Sequence, residues 1–261
     1  MPGEAAEAEL VDILNPDLVK VRILGINASP RARQQSNSWL LLQEALAGVE
    51  EAGGAEVDTF DFGNKKIAYC LHCPRGCNDK LECIFQDDYQ AFRQAWLQAD
   101  GVIWSAPVYH MGPPSQVRAA LDRLSEVEFN HHRTSGDRHY PRFCKVGGAI
   151  VQGGSRFGGQ EVTAQFFMQH FLLMDNLPVT GDMPESYLGV LAQARSKEEL
   201  LQDQALLASC RSLGRRVTHM ARIVKAGMML LRDALPDEYF YCRQNVGRID
   251  REGSPVIKAC L

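Results

Sequence analysis

Apolar residues follow two alternating patterns along the chain. Short apolar runs, typical of buried strands, occupy 21–27, 55–60, 100–106, 146–152 and 177–180. Apolar residues at helical spacing predict one helix that ends before Gly53, and others from Asp87 to Gln98, from Ser115 to Leu124 and from Gln160 to Met174. Strands that alternate with helices predict a parallel sheet covered by helices on both faces.

The last predicted helix is long and opens with Ser196-Lys197-Glu198-Glu199, which is a capping-box pattern. Downstream of it, apolar residues recur at steps of four and three from Leu206 to Val224. Cys210 lies in this stripe, so we predict that its side chain packs in the core rather than taking part in chemistry.

Five strand–helix units follow one another without a clear break, which predicts one α/β domain over 20–230. The expected architecture is a flavodoxin-like doubly wound five-stranded parallel sheet of order 2-1-3-4-5. Residues 1–19 are predicted to be an acidic N-terminal extension, and 231–261 a C-terminal tail without an assignable pattern.

The overall composition is ordinary for a soluble globular protein, with 45% hydrophobic and 23% charged residues in 261 positions. A net charge of −4 gives no reason to expect nucleic acid or an anionic membrane as partner. The first 20 residues contain five acidic side chains and lack the basic start of a secretory signal. We therefore expect a cytoplasmic protein whose thiols stay reduced.

Four of the eight cysteines lie within one short polar stretch, over 69–84. Cys70, Cys73, Cys77 and Cys83 have the spacing C-x2-C-x3-C-x5-C. Reduced thiolates this close together favour metal binding, and the charged neighbours argue against a buried apolar segment. Four thiolates suit an iron–sulfur cluster or tetrahedral zinc, and the spacing leaves both open.

The loops that leave the carboxyl ends of the strands meet at one rim of such a sheet, and ligands bind between strands 1 and 3. The loop after the first strand, residues 29–38, carries three hydroxyls, two arginines and Asn37 before a helix. A helix start of this kind binds phosphate well, and Arg31 adds a charge, although Ser36 or Asn37 also fits a plain N-cap. Neither a G-x-G-x-x-G nor a G-x-x-x-x-G-K-[ST] motif occurs.

Two further rim loops offer binding surfaces of different character. The loop over 107–114 has Tyr109, rigid prolines and backbone amides, against which a flat heterocycle fits. We interpret His110 as a loop residue rather than a metal ligand, since no second histidine stands at ligand spacing. The loop over 153–159 has four glycines, which let the backbone approach a ligand closely or simply form a flexible turn.

Four groups of residues carry a family resemblance. They are Ser29-Pro30-Arg31 with Ser36-Asn37-Ser38, the four cysteines with Asp87-Asp88, Ser105-Ala106-Pro107-Val108-Tyr109 with Leu121-Asp122-Arg123, and Gly153-Gly154 with Gly158-Gly159-Gln160-Glu161. Together they resemble the NADPH-dependent FMN reductase-like branch of the flavodoxin superfamily, and within it the cysteine set is similar to that of the iron–sulfur flavoproteins. The resemblance covers roughly residues 20–230.

The resemblance implies two cofactors and an oligomer. It implies that the FMN phosphate is bound by Ser29, Arg31, Ser36, Asn37 and Ser38. It implies that the isoalloxazine lies against Pro107, Val108, Tyr109, His110, Met111 and Gly112, with Gly153, Gly154, Ser155 and Gly158 closing the other side. It also implies a [4Fe–4S] cluster on Cys70, Cys73, Cys77 and Cys83, and a homodimer or homotetramer.

The chain departs from the family pattern at three places. Three residues separate Cys73 from Cys77 where relatives usually have two, and Arg118 stands where relatives often have lysine. The stretch from Phe129 to Phe143 is predicted to be a long loop, of the kind that often serves as a lid or a binding loop.

The expected function is a flavin-dependent oxidoreductase that relays electrons from a one-electron donor such as ferredoxin, through a cluster and FMN, to an acceptor. No acidic or basic side chain is singled out as catalytic. One alternative is an NAD(P)H-dependent FMN or quinone reductase in which the cysteines hold a structural metal. The other is a non-enzymatic flavodoxin-like scaffold that bears a metal.

Overall fold

The computed structural model of the protein describes residues 19–73, 77, 82–135, 143–182, 186–236 and 239, together with the backbone of three short strands beyond residue 240. The predicted acidic extension lies outside the described residues except for Val19, whose side chain is buried. The domain limits of 20–230 stay a prediction; the first strand begins at Val21 and the last long helix ends at Leu230.

A six-stranded parallel sheet forms the centre of the fold. Its strands are β1 (Val21–Asn27), β2 (Ala55–Asp61), β3 (Gly101–Pro107), β4 (Val146–Gly153), β5 (Leu177–Pro178) and β6 (Val190–Gln193). The order β2-β1-β3-β4-β5 confirms the predicted doubly wound sheet. Asn27 at the end of β1 is in register with Asp61 of β2 and Ser105 of β3, so these three strands end at the same rim.

The edge beyond β4 differs from the predicted strand over 177–180. β5 has two residues and pairs with Val146 and Gly147 at the start of β4. β6, which the sequence pattern did not predict, pairs with the second half of β4, from Ile150 to Gly153. The edge is thus divided between two short strands, and four residues such as 190–193 are too few to stand out as an apolar run.

Six α-helices cover the two faces of the sheet within the described residues. They are α1 (Asn37–Ala52), α2 (Tyr89–Gln98), α3 (Ser115–Ser135), α4 (Gln160–Leu173), α5 (Lys197–Gln202) and α6 (Gln204–Leu230). α1, α5 and α6 enclose one apolar core, which contains Cys210 as predicted. α2, α3 and α4 enclose the other core, around Trp104 of β3.

Two glycines let α1 and α6 touch through their backbones. A Cβ atom at Gly214 of α6 would lie 1.9 Å from the carbonyl oxygen of Ala45, and one at Gly48 of α1 would lie 2.0 Å from that of Arg211. No side chain larger than hydrogen fits at such distances. This close contact fixes the position of α1, whose first turn lies at the rim where the strands of the sheet end.

Two helix predictions need correction. Ser196 accepts a hydrogen bond from the Glu199 amide and caps the short helix α5, but the long helix starts anew at Asp203, whose carboxylate accepts from the Leu206 amide. The stretch from Phe129 to Phe143 is not a loop throughout, because α3 continues to Ser135. The sequence contains no glycine or proline between Ser115 and Gly136, so nothing ends the helix earlier.

The C-terminal tail contains a small antiparallel sheet that the sequence did not predict. Its strands are β7 (Tyr241–Cys242), β8 (Gly247–Ile249) and β9 (Pro255–Val256), in the order β7-β8-β9. Strands of two or three residues carry too little pattern to be recognised in a sequence. Within the described part of the chain, none of the helices is both long and apolar enough to span a lipid bilayer.

Candidate functional site

The loops that follow β1 and β3 are joined at the rim by hydrogen bonds. The Ala28 amide donates to the Ser105 carbonyl at 2.8 Å, and the Ser105 hydroxyl donates to the Ser38 carbonyl at 2.7 Å. Both serines are buried. The start of α1 is thereby fixed to the end of β3, at the position where the strand order reverses and where a ligand is expected.

Asn27 organises the β1 loop (residues 29–38), although the sequence analysis did not select it. Its side-chain oxygen accepts from the Ser29 amide and the Ser36 hydroxyl, each at 3.3 Å, and its amide nitrogen donates to Asp61 at 3.1 Å. Asn27 is fully buried. The signal in the sequence was its polarity at the end of an apolar strand.

Ser36 acts as the N-cap of α1. Its hydroxyl oxygen accepts from the Trp39 amide at 3.1 Å while it donates to Asn27. Ser38, in the first turn, has a buried hydroxyl that makes no hydrogen bond in the structure. The amides of the first helical turn lack intrahelical acceptors, so Asn37 and Ser38 present donors to the rim.

The two arginines of the β1 loop have different surroundings. Arg33 forms an ion pair with Asp61 at 2.8 Å, and its guanidinium lies 4.0 Å from the centre of the Trp39 ring. Arg31 is exposed, and its side chain has no hydrogen bond or ion pair among the described residues. Its guanidinium is therefore available to an anion that binds at the start of α1.

The β3 loop (residues 107–114) contains a tight turn of unusual backbone geometry. Tyr109 and Gly112 exchange two backbone hydrogen bonds, of 2.8 and 3.1 Å. His110 and Met111 between them have left-handed φ angles of 46° and 60°. Residues other than glycine adopt this backbone conformation at a cost in free energy, so surrounding contacts must maintain it. The turn leaves Tyr109 and Met111 exposed at the rim.

The β4 loop (residues 153–159) packs directly against the β3 loop. Gly159 has a φ of 101°, and a Cβ atom there would lie 2.9 Å from the Met111 sulfur and 3.2 Å from a Val108 methyl group. The Val108 amide donates to the Gln152 carbonyl at 2.9 Å. Glycine at position 159 therefore permits this contact both by its conformation and by its size.

Gln160 and Arg195, two residues that the sequence analysis did not select as ligands, brace the β4 loop. The Gln160 side chain accepts from the Gly158 amide at 2.9 Å and donates to the Ser155 carbonyl at 2.6 Å. The Arg195 side chain donates to the Gly154 carbonyl at 3.4 Å. Phe157, at the tip of the β4 loop, is 93% exposed.

The start of α5 adds positive charge to the same rim. Lys197 donates a hydrogen bond to the carbonyl of Gln34 in the β1 loop, and Arg195, two residues earlier, meets the β4 loop. The chain reaches this rim through β6, which local patterns did not predict. Contacts between residues so distant in sequence leave no local signal, so both cations were missed.

The four thiols of the cysteine loop (residues 69–84) are reduced and partly buried. Burial raises the pKa of Cys77 to about 11, and the neighbouring thiols of Cys83, Cys70 and Cys73 add to the rise. The other three thiols are thus close enough to Cys77 to influence its pKa electrostatically. Cys77 and Cys83 also pack against the apolar core beside α2 and α3.

Carboxylates of α3 face the cysteine loop. Burial raises the pKa of Cys70, and negative charge on Glu126 and Asp122 raises it further. His72 lies 3.2 Å from Glu126. In the described part of the chain, no group of three or more histidine, cysteine, aspartate or glutamate side chains is arranged to hold a metal ion. The thiols are therefore gathered but not preset in coordination geometry.

The segment between β2 and the cysteine loop packs against the β1 loop. After β2, the Phe62 amide donates to the Asn27 carbonyl at 2.9 Å, and a Cβ atom at Gly63 would lie 2.7 Å from the Arg31 carbonyl oxygen. The chain then reaches α3, where Gln116 donates to the Lys65 carbonyl at 2.8 Å. The cysteines thus lie on a segment that leaves the same rim as the other three loops.

Comparison with known proteins places the chain in a family. The family described as NADPH-dependent FMN reductase matches residues 21–182, and the chain belongs to it. An iron–sulfur flavoprotein of Archaeoglobus fulgidus is 32% identical over 199 residues, which cover 76% of this chain and 96% of that protein. One of Methanocaldococcus jannaschii is 28% identical over 205 residues, covering 78% and 100%. The predicted resemblance is confirmed, and the protein is a flavin-dependent oxidoreductase.

Solved structures support the fold. The structure of RosB with a bound 8-demethyl-8-formylriboflavin-5′-phosphate intermediate has a TM-score of 0.61 at 15% identity, covering 83% of this chain and 88% of RosB. A flavone reductase has a TM-score of 0.55 at 21% identity, covering 77% of this chain and 63% of that one. At these identities the likeness concerns architecture alone, and it agrees with the predicted flavodoxin-like class.

Proposed function

We propose that the protein contains FMN and a [4Fe–4S] cluster and relays electrons from a one-electron donor such as ferredoxin, through the cluster and FMN, to an acceptor. The observation that carries this proposal is the position of the four thiols. They are gathered on a loop whose leading segment, directly after β2, packs against the β1 loop, so a metal centre and a flavin would share one rim of the sheet. The family assignment favours an enzyme over a non-enzymatic scaffold.

The residues of the β1 loop fit the FMN phosphate. Arg31, whose side chain has no hydrogen bond or ion pair among the described residues, supplies a charge. Asn37 and Ser38 supply backbone donors at a helix start. The orphaned hydroxyl of Ser38 fits a site that is completed by a ligand, because a phosphate oxygen would give it an acceptor. In this proposal Ser29 and Ser36 shape the loop through their bonds to Asn27.

The β3 and β4 loops fit the isoalloxazine ring. Tyr109 and Met111 offer exposed apolar surface, and the Gly159 contact with Met111 keeps the two loops together. We assign ring contacts to Pro107, Val108, Tyr109, His110, Met111 and Gly112, and to Gly153, Gly154, Ser155 and Gly158 across from them. Bound FMN exchanges one or two electrons, while these residues orient it and exclude water from one side.

The cysteine loop fits a cluster that takes up one electron at a time. We propose Cys70, Cys73, Cys77 and Cys83 as its ligands. A bound cation would favour the thiolate form of all four, against the burial that now raises the pKa of Cys77. The archaeal relatives carry the name iron–sulfur flavoprotein, which supports a cluster over zinc.

A second candidate is an NAD(P)H-dependent FMN or quinone reductase in which the cysteines hold a structural metal. The family description favours it, and so do two cations at the rim, Arg195 beside the β4 loop and Lys197 beside the β1 loop, because a nicotinamide nucleotide carries phosphates. We also propose a homodimer or homotetramer, since Tyr109, Met111 and Phe157 expose apolar surface at the rim.

Metal analysis of anaerobically purified protein separates the two candidates. The proposal predicts iron and acid-labile sulfide in equal amounts, about four of each per chain, with a broad absorption beneath the flavin bands. Zinc without sulfide, at about one ion per chain, would instead support the structural-metal candidate. The variant Cys144→Ser is the matched control, because Cys144 is a partly buried thiol outside the cysteine loop and should leave the iron content unchanged.

Stopped-flow reduction tests the electron path. The variant Cys77→Ser should lose iron while it retains FMN, and reduced ferredoxin should then reduce the flavin more slowly than in the parent protein. Cys77 is the informative ligand because the three-residue gap precedes it. An unchanged rate in the iron-free variant would mean that electrons reach the flavin without the metal centre, which would then be structural.

A further inference from the structure

The root of the cysteine loop is closed by pairing between its two flanking segments. The Lys66 amide donates to the Asp88 carboxylate at 2.8 Å, and the Asp88 amide returns a bond to the Lys66 carbonyl at 3.2 Å. The Ala68 amide donates to the Asp87 carboxylate at 2.8 Å. The segment before the first cysteine and the segment after the last one are therefore held side by side.

Arg123 of α3 reaches both flanks of this root with one guanidinium. Its Nη1 donates to both carboxylate oxygens of Asp87, at 2.7 and 2.9 Å, and to the Ala68 carbonyl at 3.3 Å. Its Nη2 donates to the Phe85 carbonyl at 3.3 Å. The guanidinium also lies 4.1 Å from the centre of the Tyr89 ring. Asp87 and Arg123 together satisfy both the amide and the carbonyl of Ala68.

The two carbonyls that accept hydrogen bonds from Arg123 lie equally far, in sequence, from the first and the last cysteine of the loop. Ala68 stands two residues before Cys70, and Phe85 stands two residues after Cys83. A contact to each carbonyl fixes where the chain enters and leaves the cysteine segment. Arg123 therefore connects both the entrance and the exit of the cysteine segment to α3.

Stability alone does not account for this arrangement. The Arg123 side chain is 1% exposed, and its Nε makes no hydrogen bond in the structure. Burying a charge costs several kcal/mol, which an ion pair offsets only partly, and apolar residues of similar size often stabilise a fold as well or better. Apolar residues cannot donate directional hydrogen bonds to two backbone carbonyls and one carboxylate, as the guanidinium does.

We propose that Arg123, paired with Asp87, is a positioning residue that sets the spacing of the four thiols for the metal centre. This inference rests on the proposed function, since it assumes that the cysteines bind a metal. Arg123 contacts backbone two residues from the outer ligands and touches no thiol. It acts on the metal through the geometry of the loop.

The chain offers a matched control for the buried ion pair. Arg93 of α2 pairs with Glu128 of α3 at 2.5 Å, and the Glu128 side chain is fully buried. This pair also joins α2 and α3, and in the described part of the chain it makes no hydrogen bond to the cysteine loop. Replacing Arg93 therefore removes a buried ion pair but leaves the hydrogen bonds between Arg123 and the flanks of the cysteine loop in place.

The experiment is an anaerobic titration of the full-length, metal-depleted protein with Co²⁺, followed by thiolate-to-cobalt absorption. Arg123→Leu should weaken Co²⁺ binding by about tenfold to a hundredfold, the usual effect of removing a residue that orients metal ligands. Arg93→Leu should lower the unfolding temperature without changing Co²⁺ affinity. Arg123→Lys should fall between parent and Arg123→Leu, because one ammonium keeps the charge but cannot bond both flanks.

Each outcome distinguishes a separate claim. Equal Co²⁺ affinity in Arg123→Leu and parent, both folded and holding FMN, overturns the positioning role. Equal weakening in Arg93→Leu and Arg123→Leu also overturns it, because stability alone would then explain the loss. Full rescue of Co²⁺ affinity by Arg123→Lys would show that a positive charge alone is sufficient, and this result would overturn a role that depends on bonds to both flanks. If the parent itself takes up neither Co²⁺ nor iron, the proposed function fails, and this inference fails with it.

Discussion

The β1 loop and the cysteine loop leave neighbouring strands at one rim, yet they are held in different ways. The β1 loop is short, and it is fixed along its length by hydrogen bonds to Asn27, by the Ser36 helix cap and by the ion pair between Arg33 and Asp61. The cysteine loop is longer and is fixed at its root by charged groups, above all Asp87 and Arg123. The β1 loop is thus fixed by the sheet itself, whereas the cysteine loop is fixed at its entrance and its exit.

The largest effect is expected from disturbing the seat of α1, which carries the β1 loop. Gly214→Ala places a methyl group against the Ala45 carbonyl and should lower the free energy of unfolding by at least about 1–3 kcal/mol. FMN affinity should fall with it, while the iron content that we propose for the cysteine loop, on the other face, should not change. Urea unfolding and iron analysis measure the two effects.

The control for this prediction lies on the same helix. A Cβ atom at Gly227 of α6 would meet no other atom within 4 Å, so Gly227→Ala should be neutral or stabilising, by up to about 1 kcal/mol. If both substitutions changed stability alike, the close approach of α1 and α6 would not be what seats the β1 loop.

The next effect separates the two arginines of the β1 loop. Arg31→Ala should weaken FMN binding by about 1.5–3 kcal/mol, because it removes a hydrogen bond to a charged phosphate. Arg33→Ala removes a partly exposed ion pair with Asp61 and should cost less than about 1 kcal/mol of stability. Fluorescence titration of FMN into the apoprotein compares them, and a larger loss of affinity in Arg33→Ala would contradict the assignment.

A smaller effect distinguishes the two serines at the start of α1. Ser36→Ala removes the N-cap and should destabilise the FMN-free protein by about 1 kcal/mol. Ser38→Ala removes a buried hydroxyl without a partner, so the FMN-free protein should be as stable as the parent or more so, while FMN binding weakens. Thermal unfolding with and without FMN gives both numbers. Unchanged FMN affinity in a protein with both Ser36→Ala and Ser38→Ala would place the phosphate elsewhere.

The smallest effect concerns acid. Burial alone raises the pKa of Asp87, but hydrogen bonds from Arg123, Ala68 and Tyr89 outweigh it, and the pKa is lowered from its ordinary value of 3.8. Such a carboxyl contributes stability above its unfolded pKa, and this is lost as the pH falls through the folded pKa. Asp87→Asn should therefore lose less stability than the parent as the pH falls below about 5. Parallel pH profiles would exclude this contribution.

The elements with strong local patterns were predictable. Seven-residue apolar strands such as β1 and β3, the Ser196 cap and the stripe through Cys210 follow from spacing alone. The restart of the helix at Asp203 was missed, because one polar residue within a helical pattern leaves the period unbroken. Local pattern also could not predict β6, which four residues form through pairing with β4.

The candidate site was predictable as loops but not as contacts. The order of the strands brought the β1, β3 and cysteine loops to one rim, as the doubly wound sheet requires. The bonds that brace them come from residues far apart in sequence, such as Asn27 with Asp61 and Arg123 with Ala68. Arg123 belonged to the motif that carried the family resemblance, but only the fold reveals what it touches.

The divided edge of the sheet has a consequence for assembly. β5 and β6 offer runs of two and four residues, too short to template a foreign strand. The opposite edge, β2, is seven residues long, but its acidic side chains Glu56 and Asp58 are bridged to Arg22, which places a row of charge along it. Both edges therefore resist strand addition and the aggregation that follows from it. Strand addition at the central sheet is therefore not the route by which we expect copies of this protein to associate.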